Sequence, residues 1–145
     1  VLMVQKEVGQ RLTAREGSKA FGRLTIFLQC FFSIKKILSV PRTSFFPVPE
    51  VDSVVLQFFR RESPLIEIPD HSLFFQLVRE GFAERRKTLK HNLARWLGKE
   101  KTSVLLEESG INPRLRPEEI SLSHWNKLAL LLYKMKESNS GRLTG

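Results

Sequence analysis

Cysteine is nearly absent. Cys30 stands alone in the apolar run Phe27–Phe32, so no internal disulfide can form, which fits a reducing cytosol and cytoplasmic location. Its setting is that of a small buried hydrophobe rather than a nucleophile. The histidines, His71, His91 and His124, have neither metal-ligand spacing nor a cysteine pair beside them, so no metal is expected and all three read as structural or surface residues. The zinc pattern of nucleobase deaminases is missing as well. No Gly-x-Gly occurs anywhere, which excludes a Rossmann-type cofactor loop. Gly17-Ser18-Lys19-Ala20-Phe21-Gly22 imitates a phosphate loop. Arg23-Leu24 follows, however, where Lys and then Ser or Thr are needed for phosphates and magnesium, and the imitation is rejected. No apolar run is long enough to span a membrane, so no membrane partner is expected.

Acidic residues are also scarce. Asp and Glu number 15 against 24 Lys and Arg, a formal charge of +9 on 145 residues. That balance favours a polyanionic partner, nucleic acid first among the candidates. With 41% hydrophobic residues the chain can bury a core of one ordinary domain, or of a small domain and part of another. The run Val1-Leu2-Met3-Val4 reads as a buried strand separated from its neighbours, so the chain is expected to be a fragment of a longer protein.

Patterning divides the chain. Val1–Gln5 is predicted as a strand and Lys6–Leu12 as the start of a helix. Gly17 breaks the chain and Ser18 caps a helix to about Gln29. Phe31–Val40 is a strand ending at Pro41, and a loop carries Phe45-Phe46-Pro47-Val48-Pro49. Val51–Phe59 alternates with neither face purely polar, so both of its sides are expected to be covered, as in a layered α/β domain. Residues 1–61 form this α/β part, and residues 62–69, with Pro64 and Pro69, form a linker. Residues 70–136 read as helical: Ser72–Leu97 a long amphipathic helix leaving at Gly98, Ser103–Ser109 a short one closed by Gly110, and Pro117-Glu118-Glu119 a first helical turn. Ser123 caps a last helix through about Lys136. The polar tail 137–145 is expected to be disordered.

Two stretches carry chemistry. At about 100° per residue, Phe74, Val78, Phe82, Leu89, Leu93 and Trp96 make one apolar stripe on the long helix. Arg79, Arg86 and Lys90 fall within roughly 40° of arc beside it, Lys87 lies farther round, and Glu80 and Glu84 lie away from the row. Such a ridge suits phosphates along an RNA backbone; a solvated helix face is the alternative. In the Phe45–Pro49 loop the prolines hold the backbone extended, where a phenylalanine can offer its face to a base. Plain hydrophobic packing of both rings is the alternative there.

Five segments in order resemble the bacterial small-subunit (16S) ribosomal-RNA adenine dimethyltransferases of the kasugamycin-resistance type. They are Gln5-Lys6-Glu7-Val8 with Arg11-Leu12, and Gly17-Ser18-Lys19-Ala20-Phe21-Gly22-Arg23-Leu24. Next come Phe45-x-Pro47-x-Pro49-x-Val51-x-Ser53-x-Val55 and Phe82-x-x-Arg85-Arg86-Lys87-Thr88-Leu89-x-x-Asn92-Leu93. Arg116-Pro117-Glu118 with Ile120-Ser121 closes the series.

The resemblance implies the C-terminal part of a Rossmann-like methyltransferase sheet, an α/β fold, followed by a small all-α domain. It implies an enzyme that uses S-adenosylmethionine to dimethylate two adjacent adenines near the end of small-subunit rRNA. Its partner would be that RNA within the immature small ribosomal subunit, with the target base flipped and stacked on an aromatic ring. Phe45 is then the first candidate for that ring and Phe46 the second, while Arg79, Arg85, Arg86, Lys87 and Lys90 are the expected RNA-binding residues. The family's cofactor loop and its catalytic Asn-Leu-Pro-Tyr lie ahead of the matched part, so no catalytic or cofactor-binding residue is expected in this chain, and the chain alone is expected to be inactive. A non-catalytic RNA-binding or ribosome-assembly module is the first rival. A related large-subunit dimethyltransferase is the second, against which the Arg85–Leu89 block argues.

Overall fold

A computed structural model describes residues 1–143. The chain divides into two compact units, Val1–Leu65 and a second beginning at Ile66, so the division falls inside the 62–69 segment. That segment is less of a free linker than its prolines suggest. Leu65 donates its backbone N–H to Cys30 in the first unit, whereas Ile66 and Ile68 are buried in the second.

In the first unit, strand β1 (Leu2–Gln5) runs directly into helix α1 (Lys6–Leu12). Helix α2 (Arg23–Phe31) runs directly into strand β2 (Phe32–Val40), and β3 (Ser53–Arg60) returns to close the unit. The sheet order is β1-β3-β2 with both pairings antiparallel, Val4 opposite Val54 and Ile34 opposite Phe58. Val54 and Leu56 point to one face and are buried with Leu12. Val4, Val8, Leu28, Ile34 and Phe58 pack around them. On the opposite face Val55 and Gln57 are half-buried and Phe59 is exposed, so within this unit β3 is covered on one side, not on both as its alternation predicts.

Two further expectations are corrected in this unit. Strand β1 is exposed rather than buried, Leu2 and Met3 each being about half accessible. The α2 helix begins at Arg23, not at Ser18. Ser18 serves a turn instead, its Oγ accepting from Ala20 N and its carbonyl from Phe21 N. The buried Thr25 then joins α2 to α1, its hydroxyl donating to Arg11 O at 2.6 Å and accepting from Gly22 N. The motif Gly17–Leu24 therefore serves packing here, with Phe21 sunk to 2% exposure.

The second unit holds α3 (His71–Gly81), α4 (Leu89–Leu97), α5 (Lys99–Ser109) and α6 (Leu122–Leu143). Asp70 caps α3 by accepting from Leu73 N. The single helix predicted over Ser72–Leu97 is thus two helices, with residues 82–88 in turns between them. Gly98 both ends α4 and starts α5, which begins at Lys99, earlier than the expected Ser103. Gly110 closes α5 in the left-handed conformation that favours glycine. Pro117–Glu119 remains a single 3-10 turn. Ser121, not Ser123, serves the start of α6, accepting from His124 N at its hydroxyl and from Trp125 N at its carbonyl. Helix α6 continues through Leu143, so the tail expected to be disordered is helical over 137–143, and the end of that expected tail, 144–145, lies outside the described residues. The core gathers Phe74, Leu77, Leu89, Leu93, Leu105, Trp125 and Leu128, each fully buried.

Candidate nucleic-acid interface

Breaking the long helix changes the geometry of the basic residues. Arg79 stays on α3 in its last turn, and Lys90 stands in the first turn of α4. Arg85, Arg86 and Lys87 lie on neither helix but on the turn between them, so the 40° arc that placed Arg79, Arg86 and Lys90 in one row does not exist. What replaces it is a tight cationic corner, three consecutive exposed cations followed at once by a helix start.

The corner is built by residues that carry no charge. Asn92, 1% exposed, donates from Nδ2 to Gly81 O at 2.7 Å and Glu84 O at 3.0 Å, and its Oδ1 accepts from Glu84 N at 3.2 Å. One side chain thereby satisfies the backbone that the helix break would otherwise strand. Thr88 caps α4, its Oγ1 accepting from His91 N at 3.1 Å, and Leu89 N is held by Leu115 O at 2.8 Å. Phe82, at the start of the turn, stacks on buried Trp125 with centroids 5.6 Å apart. Gly81 makes that stack fit, because a Cβ there would sit 2.5 Å from the Trp125 ring.

Glu84 is the acid of the corner. It pairs with Arg95 and lies 3.7 Å from His91 Nε2. Among the described residues no ion pair engages Arg79, Arg86, Lys87 or Lys90, all of them exposed. The scaffolding roles of Thr88, Asn92 and Gly81 are absent from a reading by helical periodicity. Gly81 followed by a Thr cap is the signal that would have revealed them.

In the first unit the two aromatic candidates differ. Phe46 is fully exposed, whereas Phe45 is half-buried directly after the short 3-10 turn Arg42–Ser44. The loop is drawn closed at its base by Asp52, whose carboxylate accepts from Arg42 N at 2.8 Å and whose carbonyl accepts from Lys6 N at 3.0 Å. Beside this closure is a cavity of about 490 Å³ lined by Gln5, Lys6, Glu7, Arg42, Glu50 and Asp52, among others, with Val51 its one aliphatic side chain. Such a lining does not fit a cofactor with an adenine ring to bury. No helix of the described residues is long and apolar enough to cross a membrane.

The family described as ribosomal RNA adenine dimethylase matches residues 1–134. The ribosomal RNA small subunit methyltransferase A of Bacillus mycoides is 42% identical over 142 residues, 93% of this chain and 49% of that protein. A protein of the same name from Bacillus cereus is equally similar. The chain thus spans about half the length of the curated relatives it matches. Among solved structures, a dimethyladenosine transferase from Plasmodium falciparum superposes with a TM-score of 0.79 at 27% identity, over 92% of this chain and 56% of that one. The 23S rRNA methyltransferase ErmE superposes with a TM-score of 0.63 at 23% identity, over 88% of this chain and 51% of that one, a likeness of fold.

Proposed function

The chain belongs to the ribosomal RNA adenine dimethylase family, and from that premise we propose that it is the RNA-gripping half of a cytoplasmic enzyme that dimethylates two adjacent adenines near the end of small-subunit rRNA. The observation that carries this reading is the cationic corner. Arg85, Arg86 and Lys87 are exposed on a turn whose backbone is pinned by buried, uncharged Asn92. Phosphate oxygens of a folded RNA are what such a corner binds, and Arg79 and Lys90 extend it to either side. The immature small subunit is the partner in which that RNA would be met.

S-adenosylmethionine would supply the methyl groups in the whole enzyme. The residues of this chain do not fit it: there is no glycine-rich loop, and the cavity of the first unit is polar and charged. No transfer step is assigned to these residues, and the chain alone is expected neither to bind the cofactor nor to methylate RNA. Phe45 is proposed as the wall against which the flipped adenine stacks. Its half-buried ring is held by the loop that Asp52 closes, whereas the Phe46 ring stands free.

Binding of a labelled small-subunit rRNA hairpin to the chain, followed across salt concentration, tests the grip. Arg86→Gln with Lys87→Gln should flatten the slope of log affinity against log salt by about one to two units. An unchanged slope in a folded double variant would assign the corner to solvent and end the reading. In an enzyme carrying both halves, Phe45→Ala should slow methylation more than it weakens RNA binding, base stacking being worth about 1–3 kcal/mol. If Phe46→Ala is the damaging change instead, the exposed ring is the wall.

A further inference from the structure

We propose that the groove between α4 and α5 is a second seat for the RNA backbone, continuing the track that begins at the Arg85–Lys87 turn. This rests on the reading of the chain as an RNA binder, but on different residues. The groove has a volume of about 710 Å³ and is walled by Lys90, His91 and Arg95 from α4 and by Lys99 and Ser103 from α5, with Thr88 at its head. Three of these are permanent cations, two are hydroxyls, and no carboxylate lines the space. Most of the groove's surface is apolar, from Ala94 and the carbon stems of its longer side chains, and a ribose can rest against it beneath the cationic heads.

The nearest acid explains the posture of the groove rather than cancelling it. Glu84 holds Arg95 and approaches His91 through its other oxygen. A guanidinium has five N–H donors in a fixed fork, so an arginine anchored by a carboxylate on one edge keeps others for a phosphate. Lys90 and Lys99, both exposed, have no ion pair among the described residues.

The groove also has an end. Lys90 and Ser103 also line an adjoining smaller hollow of about 270 Å³, together with Glu107, Leu106, Ile111 and Pro113. Glu107 is what sets this hollow apart, since its carboxylate repels a phosphate. The favourable stretch therefore runs from the cationic turn past Thr88 and Lys90 toward Lys99, and Glu107 bounds it where Lys90 and Ser103 meet the smaller hollow. A space several times that of one phosphate, with cations on both walls, fits a short length of phosphodiester chain better than a single small anion.

The test uses the full chain and a labelled hairpin of small-subunit rRNA. Arg95→Gln with Lys99→Gln should reduce the salt slope by about one to two units, and Lys99→Glu, which leaves the Arg95–Glu84 pair intact, should weaken binding at least as much as Lys99→Gln. Independently, the backbone amides of Ala94 and Ser103 should shift in NMR spectra when RNA is added, since neither side chain carries charge. If RNA binds, if Arg86→Gln with Lys87→Gln weakens it, and if the groove variants and amides do not respond, the groove is not part of the track while the functional reading stands. If inorganic pyrophosphate moves those amides and RNA does not, the groove is a small-anion site and the proposal is overturned. Absence of salt-dependent RNA binding by the unmodified chain overturns both.

Discussion

Asn92 commits its whole amide to the backbone of the turn it supports, two donations and one acceptance, at a position with almost no solvent access. Removing it takes the partner from the buried Gly81 carbonyl and from the Glu84 N–H, while the Glu84 carbonyl keeps Lys87 N, at about 1–3 kcal/mol for an unsatisfied group. Asn92→Ala should therefore lower unfolding free energy by at least that much in urea titrations. It should also weaken RNA binding although no charge is lost, and normal RNA affinity in the folded variant would separate the corner's geometry from its grip. Gly81 presents opposed effects. Alanine is favoured over glycine in a helix by up to about 1 kcal/mol, yet its Cβ would meet the fully buried Trp125 ring at 2.5 Å and Leu89 at 3.1 Å. Overpacking of a core costs about 1–3 kcal/mol, so Gly81→Ala should destabilise, as a drop in melting temperature. Cys30 is a chemical counterpart: burial, slightly opposed by Arg61, pushes its thiol from the ordinary 9.0 up to about 12. The folded form thus holds a proton that the unfolded chain releases above about pH 9, so this contribution to stability is present below that pH and fades as pH rises toward 12. Alkylation of the native chain at pH 8 should be slow and should quicken sharply in denaturant.

At the scale of elements, the strands show why pairing edges matter. Strand β2 carries Lys35 and Lys36 and a register shift between Lys36 and Leu38, two devices that discourage a further strand from adding. Strand β1, the other border of the sheet, is Leu-Met-Val-Gln and has neither. Concentration-dependent self-association through β1 is the expected behaviour, and Met3→Lys should shift sedimentation toward monomer. The start of α1 and, to within two residues, the three strands were legible, because a strand's pattern depends on its immediate neighbours. The long helix was not. Apolar residues from Phe74 to Trp96 keep helical spacing across the break, since α3 and α4 both turn an apolar face to one core, and periodicity does not register a turn that preserves phase. The break is set by contacts distant in sequence, Asn92 to Gly81 and Leu89 to Leu115. The same blindness hid the groove: Arg95 and Lys99 became neighbours of Lys90 only once α5 was seen to start at Lys99 and to line a hollow with α4. The motif Arg85–Leu89, by contrast, was visible as residues while its shape was not.

For the whole molecule, a formal charge of +9 sets the strength of its attraction to a polyanion, and the reach of that attraction shrinks as salt shortens the screening length to about 10 Å at 0.1 M. The chromophores are distributed quite differently from the charge. Both tryptophans, Trp96 and Trp125, and the single tyrosine, Tyr133, fall in the unit that begins at Ile66. The first unit, with phenylalanine as its only aromatic residue type, is dark at 295 nm excitation. Trp125 lies at 0% exposure against Phe82, the residue that opens the cationic turn. The molecule therefore carries its own optical label on one of its two bodies: emission from Trp96 and Trp125 reports the helical unit and is silent about the sheet, so a change in colour or brightness on adding RNA can be assigned to that unit without attaching a dye.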